Sequence, residues 1–289
     1  MANGERVIPF STKEEIREQQ FKQVWLEELD DVFADVARYY DRANHVASLG
    51  LWNWFRNRFI STMDVQSGQR MLDVCAGTNA IGITLLKKHP DLQVHAIDRS
   101  KAMQAVGQES ARKLGMDIDS TIGDVHSLPF PDNHFDIVTL QYASRHLRIM
   151  DVCCEIKRTL KPGGHFYHCD MLRPANKIVE SSYYAYLRLC LNFTALLFRS
   201  SSSAHGCKEY FINALRMFYS ADEFSDLLRD VGFEEVSSQT LLVGMIGHHR
   251  GMKPLDTSSP DGDHEQDQRT LCHEPRHDGG LQPARCERP

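Results

Sequence analysis

The 289-residue sequence lacks the features of several classes of protein. Its eight cysteines form no CxxC pair, so neither a zinc site nor a disulfide framework is expected, and a reducing compartment fits best. Its net charge of −6 supplies no basic excess for nucleic acid. The run nearest to a membrane helix, Tyr183 to Phe198, contains Arg188 and is shorter than the roughly 20 apolar residues that span a bilayer. We therefore predict a cytoplasmic, globular protein that binds no nucleic acid and requires no metal.

The composition divides the chain into three parts. Residues 1–30 form an N-terminal extension whose helical pattern, beginning near Ser11, continues to about Tyr40. Residues 254–289 are rich in proline, glycine, aspartate and histidine and have few large apolar side chains, which predicts a disordered acidic tail. Residues 31–253 between them are expected to form one domain.

Short apolar runs alternate with helix-length amphipathic stretches in the central part. Such alternation is typical of βαβ units and a mostly parallel sheet, so we predict an α/β fold. Residues 233–248 add two strand-like runs, expected as an antiparallel pair at the sheet edge. The four runs predicted as parallel strands are Arg70–Ala76, Leu92–Asp98, Phe135–Gln141 and His165–Met171.

Small and acidic residues follow these strands, at the place where ligands bind in α/β sheets. The turn after the first strand contains Gly77 and Thr78, and Asp98 ends the second strand, where a carboxylate can accept hydrogen bonds from ribose. A full GxGxxG is missing, because Asn79 replaces the last glycine of the turn, and this disfavours a dinucleotide. With a third acid at Asp124, the order of residues suits an adenosine ligand.

The sequence resembles the class I S-adenosylmethionine (SAM)-dependent methyltransferases, and among them the UbiE/MenG C-methyltransferases of ubiquinone and menaquinone biosynthesis. The resemblance implies a Rossmann-like, seven-stranded, mostly parallel sheet with helices on both faces, and SAM as cofactor. It spans about residues 31–253. The motifs that carry it are VARYYD at 36–41, LDVCAGT at 72–78, YASRHL at 142–147, LKPGG at 160–164, FINALRMFYSADEF at 211–224 and HRGMK at 249–253.

Carried over by position, the resemblance implies a cofactor site at the strand ends. Thr78 would lie beside the methionine part of SAM and Asp98 would hold the ribose, while Asp124 and Val125 would contact the adenine. Asn79 and Gln141 depart from the family pattern, which usually has glycine and often serine there. The complete set of expected cofactor-binding residues is Asp73, Ala76, Gly77, Thr78, Asn79, Asp98, Arg99, Asp124, Val125 and Gln141.

Methylation of a phenol or quinol ring carbon requires a group that stabilises the phenolate or accepts its proton. Arg145, aligned with an arginine of the family, is the candidate stabiliser; the alternative is a structural arginine that binds a helix end. His146 stands where the family has asparagine and is either the base or a capping or surface histidine. We expect Tyr40, Asp41 and Tyr142 to form the lid and substrate wall.

The preferred function is C-methylation of a prenylated quinol or phenol precursor. The apolar segment 183–198 is predicted either to receive the isoprenoid tail or to pack as an ordinary buried helix. Peripheral contact with the inner membrane and a homodimer stay open. Two alternative functions also remain: methylation of another small molecule, and a non-catalytic regulatory protein that kept the fold.

Overall fold

The computed structural model of this chain describes residues 9–197 and 208–255. Residues 1–8 and the predicted acidic tail from residue 256 onward lie outside the described residues. The strands are β1 (Arg70–Val74), β2 (Gln93–Asp98), β3 (Asp119–Ile122), β4 (Phe135–Gln141), β5 (Leu160–Met171), β6 (Glu234–Leu241) and β7 (Ile246–Met252). The helices are α1 (Phe10–Gln23), α2 (Leu29–Val36), α3 (Tyr40–Ala47), α4 (Trp52–Ile60), α5 (Ala80–Leu86), α6 (Lys101–Lys113), α7 (Ile149–Thr159), α8 (Lys177–Leu197), α9 (Lys208–Arg216) and α10 (Ala221–Asp230).

The seven strands form one sheet in the order β3-β2-β1-β4-β5-β7-β6. All neighbours are parallel except β7, which runs antiparallel to both β5 and β6. This confirms the predicted mostly parallel, seven-stranded sheet and the antiparallel pair at its edge. The chain order reverses between β1 and β4, and Val74 pairs with both Ile97 and Leu140 there, so the carboxyl ends of β1, β2 and β4 meet at one edge.

Two strands differ from the pattern read in the sequence. The short edge strand β3, with the sequence DSTI, was not located because it is polar and carries no apolar alternation. Strand β5 begins at Leu160 instead of His165, since the KPGG turn stays within the strand as an irregularity beside β4. Gly163 has φ +77° there and its N–H donates to the carbonyl of Lys253, so glycine suits this position.

Helices cover both faces of the sheet, as predicted. On one face α7 and α10 contribute Val152, Ile156 and Leu227 to a core that includes Leu72 and Val138. The opposite face is covered by α4, α5 and α6, whose apolar residues include Phe59, Leu85 and Ala111. No helix in the described ranges is both long enough and apolar enough to cross a membrane.

The helical N-terminal region is interrupted. The predicted helix between Ser11 and Tyr40 is divided by a π-helical segment, Val24–Glu28, and ends at Val36 before α3 begins. Phe21 and Trp25 pack against Tyr210 and Ala214 of α9, so the predicted extension is in contact with the domain.

Candidate active site

A cavity lies at the carboxyl ends of β1, β2 and β4, and we call it the strand-end cavity. Gly77, in the turn after β1, has φ +54°, and its N–H donates to Asp98 Oδ2 at 2.8 Å. Ser100 N–H donates to Asp98 Oδ1, also at 2.8 Å, so each carboxylate oxygen keeps a lone pair for a ligand hydroxyl. The lining includes seven residues of the predicted cofactor set: Asp73, Ala76, Gly77, Thr78, Asp98, Arg99 and Gln141. It also includes His146, from the loop after β4, which was predicted as catalytic.

Burial shifts the pKa of two carboxyl groups in this cavity upward. Burial raises the pKa of Asp98, against the two backbone hydrogen bonds that favour its charged form. Asp73 is only 2% exposed, and burial raises its pKa to about 7 although Thr139 Oγ1 donates to it at 2.7 Å. Asp73, in β1 directly before the turn, is therefore partly protonated at neutral pH.

Three predicted cofactor residues are not in the lining. Asn79 adopts the left-handed conformation, φ +56°, and its Oδ1 accepts a hydrogen bond from Gln104 of α6 at 2.9 Å. The substitution of the usual glycine therefore places a side chain against α6, outside the strand-end cavity. Asp124 has a 73% exposed side chain, and its hydrogen bond with His126 lowers its pKa to about 2. Neither Asp124 nor Val125 lines the strand-end cavity, so their adenine contact stays a prediction.

The N-terminal helices close one side of the strand-end cavity through hydrogen bonds made by two side chains, Asp41 and Arg99. Asp41 accepts from Thr78 Oγ1 at 2.9 Å, from Trp52 Nε1 at 3.1 Å and from Arg56 Nη2 at 3.1 Å. Arg99 is directed away from Asp98: its guanidinium donates to the carbonyl of Trp25 at 2.7 Å and to Asp30 at 2.8 Å. Tyr40 and Asp41 line the strand-end cavity on this side, and their role as a lid stays a prediction. Arg99 connects the N-terminal helices to the end of β2.

The loop after β4, Tyr142–Leu147, carries the predicted catalytic residues, and we call it the 142–147 loop. Tyr142 has φ +55° and stacks on Trp52 with 4.9 Å between ring centroids. No nitrogen or oxygen in the described residues pairs with Gln141 Nε2, Tyr142 Oη or His146 Nε2, although the first two lie beside the thiol of Cys169. A buried polar atom without a partner costs about 1–3 kcal/mol, so this cluster indicates a polar ligand in the strand-end cavity.

Arg145 lies in the lining of a second, apolar cavity next to the strand-end cavity. Its Nη1 donates to Asp170 Oδ1 at 2.6 Å and to the carbonyl of Tyr142 at 3.1 Å. Asp170 is fully buried at the end of β5, and its other oxygen accepts the N–H of Ser144. The carboxylate therefore fixes both the backbone and the guanidinium of the loop, and three of the five guanidinium N–H groups remain for other partners or a ligand.

His146 lies at the opposite side of the same loop. Its Nδ1 is 2.6 Å from Tyr210 Oη, which accepts a hydrogen bond from Trp25 Nε1 at 2.8 Å. Burial, reinforced by the charges of Arg145 and Arg17, holds the pKa of His146 well below its ordinary value. The imidazole is consequently neutral at physiological pH.

The second, apolar cavity has a volume of about 490 Å³. Phe33, Tyr40, Trp52 and Tyr142 line both cavities and form the wall between them. Arg145 is the one charged side chain among the described residues of its lining. One face of α8, within the segment predicted to receive an isoprenoid tail, contributes Tyr183, Tyr186, Leu187, Cys190 and Leu191.

The strand-end cavity has the chemistry expected of a SAM site: carboxyl groups in its lining, a glycine turn and unpaired polar atoms nearby. A family model described as the ubiE/COQ5 methyltransferase family matches residues 18–253. The chain belongs to the ubiE/COQ5 methyltransferase family. It is a SAM-dependent methyltransferase, and the match begins at residue 18 instead of about residue 31 as the motifs indicated.

Individual proteins agree with this assignment. A demethylmenaquinone methyltransferase of Anoxybacillus flavithermus is 33% identical over 239 residues, which are 82% of this chain and 98% of the relative. A protein of Pseudomonas syringae pv. tomato named ubiquinone/menaquinone biosynthesis C-methyltransferase UbiE is 30% identical over 79% of this chain and 90% of the relative.

Solved structures support the fold. A Thermotoga maritima SAM-dependent methyltransferase, described as a possible histamine N-methyltransferase, has a TM-score of 0.54 at 18% identity and covers 77% of this methyltransferase and 98% of that chain. A Haemonchus contortus phosphoethanolamine N-methyltransferase in complex with SAM has a TM-score of 0.52 at 16% identity, covering 71% and 53%.

Several residues of the site were not found from the sequence. Trp52, Asp170 and Tyr210 come from three different elements and lie outside the quoted motifs. Asp170 had the clearest signal in the sequence. It lies one residue before the end of a predicted strand that neighbours β4, and an acidic residue at a strand end was the reason for selecting Asp98 of β2.

Proposed function

We propose that this methyltransferase transfers the methyl group of SAM to a ring carbon of a prenylated quinol or phenol precursor of ubiquinone or menaquinone. The observation that carries the proposal is the shared wall: the strand-end cavity adjoins an apolar cavity large enough for part of an isoprenoid tail, and Arg145 lies on the apolar side. The names of the two relatives support this class of acceptor.

We assign a role to each part of the wall. The stacked pair Trp52 and Tyr142 would contact the acceptor ring where the two cavities adjoin, while the apolar lining takes up the tail and excludes water. When bound, SAM supplies a methyl group activated by its sulfonium. The Arg145 guanidinium, fixed by Asp170, stabilises the phenolate that remains after the acceptor hydroxyl loses its proton, and the negative charge reaches the ring carbons. The ring carbon would take the methyl group as the methyl–sulfur bond breaks, and later loss of the ring proton would restore the aromatic ring.

We further propose that His146 accepts the hydroxyl proton of the acceptor. Its Nε2 has no hydrogen-bond partner in the described part of the chain, and the residue lines the strand-end cavity. The role requires the tautomer in which Nδ1 carries hydrogen and donates to Tyr210, because only then is Nε2 a free base. We expect His146→Asn to lower turnover from pH 6 to 9. Full turnover across this range would remove His146 from the mechanism.

The direct test is methyl transfer from labelled SAM to demethylmenaquinol and to analogues with shorter prenyl tails. We expect kcat/KM to rise with tail length until the apolar cavity is filled, since each buried CH₂ contributes about 0.8 kcal/mol. A rate independent of the tail would favour another small-molecule acceptor. Binding of SAM without transfer to any quinol would favour the non-catalytic alternative.

We also infer that the apolar cavity opens toward a membrane surface. Leu49, Leu51, Tyr186 and Leu242 line the cavity and are themselves exposed, Leu49 by 78%. Exposed apolar residues continue along α8 with Leu189, Phe193 and Leu196. A lipophilic acceptor that resides in a bilayer enters most directly through such a rim.

Cosedimentation with anionic lipid vesicles tests this inference. We expect Leu49→Asp to reduce vesicle binding several-fold. Leu114→Asp, the same change at an exposed leucine directly after α6 and away from the rim, should leave binding unchanged. If Leu49→Asp instead converts a dimer to a monomer in sedimentation velocity, the rim is a homodimer interface and the membrane inference is wrong.

A further inference from the structure

Helix α1 places a buried charged pair against the 142–147 loop. Arg17 is fully buried and Glu14 is 2% exposed. Arg17 Nη1 pairs with Glu14 Oε1, and Arg17 Nη2 donates to the backbone carbonyl of Arg145 at 3.0 Å. Tyr219 Oη donates to Glu14 Oε1 at 2.7 Å, which fixes the acid from the other side. The guanidinium thus joins α1 to the peptide that links the two candidate catalytic residues.

The N-terminal region makes two more contacts near the same place. Glu18, the next residue of α1, forms an ion pair with Arg148 directly after the loop. Trp25 donates to Tyr210, whose hydroxyl contacts His146 Nδ1. The N-terminal region therefore contacts the 142–147 loop, the residue after it and the hydrogen-bond partner of His146. Among these contacts, the hydrogen bond of Arg17 is the one made to the loop backbone.

Stability alone accounts poorly for this pair. Burying two charges costs several kcal/mol per ion, and well-packed apolar residues of similar volume often stabilise a protein as well or better. Neither Arg17 Nε nor Glu14 Oε2 has a hydrogen-bond partner among the described residues. Phe21 of α1 already packs in an apolar cluster with Trp25 and Tyr210, and the Phe218 ring lies 5.0 Å from the guanidinium.

We propose that Arg17 is a positioning residue for methyl transfer: by binding the Arg145 carbonyl, it fixes the backbone from which the Arg145 guanidinium reaches the apolar cavity. Arg17 precedes the range matched by the family model, which begins at residue 18. This inference rests on the proposed role of the 142–147 loop. Arg17 does not line either cavity, so it acts on the acceptor step and leaves SAM binding unchanged.

The test compares three full-length variants with the wild type. Glu14→Gln with Arg17→Met removes both charges together and avoids leaving one buried ion unpaired. Arg17→Lys keeps a positive charge beside Glu14 but loses the planar guanidinium, whose N–H groups bind Glu14 and the Arg145 carbonyl together. Lys13→Met is the matched control, because Lys13 lies on the same helix, pairs with Glu223 at 3.3 Å and covers the Tyr219 ring, and it does not line either cavity.

Two readouts separate positioning from general stability. We expect the double variant to lower kcat at least tenfold with the SAM Kd within twofold of wild type, and Arg17→Lys to recover part of the loss. In hydrogen exchange of the folded protein, amides of residues 144–148 should exchange at least tenfold faster in the double variant, and those of the sheet at the wild-type rate. Lys13→Met should change neither quantity.

Three results would overturn the inference. These are a wild-type kcat in the double variant, unchanged exchange in residues 144–148, and faster exchange throughout the sheet, which would indicate global destabilisation. Arg145→Ala, assayed in parallel, distinguishes the two proposals. Full turnover in Arg145→Ala removes the proposed role of that side chain, whereas exchange in residues 144–148 still reports whether Arg17 holds the loop.

Discussion

The two cavities of this methyltransferase share a wall but are constructed differently. The strand-end cavity takes its polar groups from residues that directly follow β1, β2 and β4, so short stretches of sequence determine it. The apolar cavity is assembled from five helices, the 142–147 loop and parts of β5, β7 and the turn before β7, spread between residues 32 and 246. Only part of its lining belongs to the motifs quoted from the sequence. A ligand site at strand ends can be located by position, while an apolar cavity depends on which helices pack together.

The cavities also differ in charge. The strand-end cavity is lined by the buried Asp73 and the half-buried Asp98 together with other charged side chains, whereas Arg145 is the one charged group on the described lining of the apolar cavity. This difference matches a polar, hydroxyl-bearing cofactor on one side and an anionic ring with an apolar tail on the other. The experiments below test whether the two functions can be separated by single substitutions.

The largest effect is expected from Asp98→Ala. The substitution removes the carboxylate that orients Gly77 and that we expect to bind the ribose, and hydrogen bonds to a charged group contribute about 1.5–3 kcal/mol each. Calorimetric affinity for SAM should fall at least about 100-fold. Asp124→Ala serves as the comparison, because Asp124 lies outside the lining, and should weaken binding less than fivefold. Equal losses in both variants would show that the cofactor reaches Asp124.

Arg145→Met should act on the other side of the wall. We expect kcat to fall about 100-fold, the scale for loss of one electrostatic stabiliser, with the SAM affinity unchanged. Arg145→Lys should retain part of the activity because it keeps the charge near Asp170. A parallel loss of SAM affinity would contradict the separation of the two cavities.

The pH dependence of stability should have opposite signs at two buried groups. The folded-state pKa of Asp73 is about 7 against 3.8 unfolded, so the folded state binds the proton first and gains stability as pH falls from 7 to 5. The folded-state pKa of His248 in β7 is lowered by burial to about 4 against 6.5, so the unfolded state binds the proton first and stability is lost over the same interval. Each contribution is about 2 kcal/mol.

Urea unfolding of the wild type, Asp73→Asn and His248→Leu at pH 7 and pH 5 measures these contributions. Relative to the wild type, Asp73→Asn should become less stable on acidification and His248→Leu more stable. His248 suits this test because both of its ring nitrogens lack hydrogen-bond partners in the described residues, so leucine removes no polar contact there. Parallel pH profiles for all three proteins would refute the assigned pKa shifts.

The smallest effect is expected from Ala43→Phe, which fills part of the apolar cavity from α3. KM for a long-tailed quinol should rise about tenfold, equivalent to 1.4 kcal/mol, while KM for a tail-free analogue changes less than twofold. Val106→Phe on α6, a residue that lines neither cavity, controls for added bulk. Equal changes for both acceptors would place the tail elsewhere.

The sequence predicted much of the sheet and part of the site. Strong apolar runs located β1, β2, β4 and most of β5, but the polar edge strand β3 carried no comparable signal. Thr78, Asp98 and Gln141 were expected at the strand-end cavity and lie in its lining, whereas Asn79 turns toward α6. The side chain of Asn79 could not be placed in advance, because its direction depends on the left-handed turn and on the neighbouring Gly107.

The sequence by itself determined the alternation of strands and helices, the polar residues at the strand ends and the family. These follow from local periodicity and from residues close together in the chain, which act before any long-range contact forms. Only the tertiary structure decided that Tyr183, Leu215 and Leu242 face one cavity and that Arg17 contacts the carbonyl of Arg145. The physical reason is that these arrangements depend on how helices pack against the sheet and each other, which brings together residues more than 100 positions apart in the chain. Many different apolar sequences satisfy such packing equally well, so the sequence pattern alone does not identify the contacts.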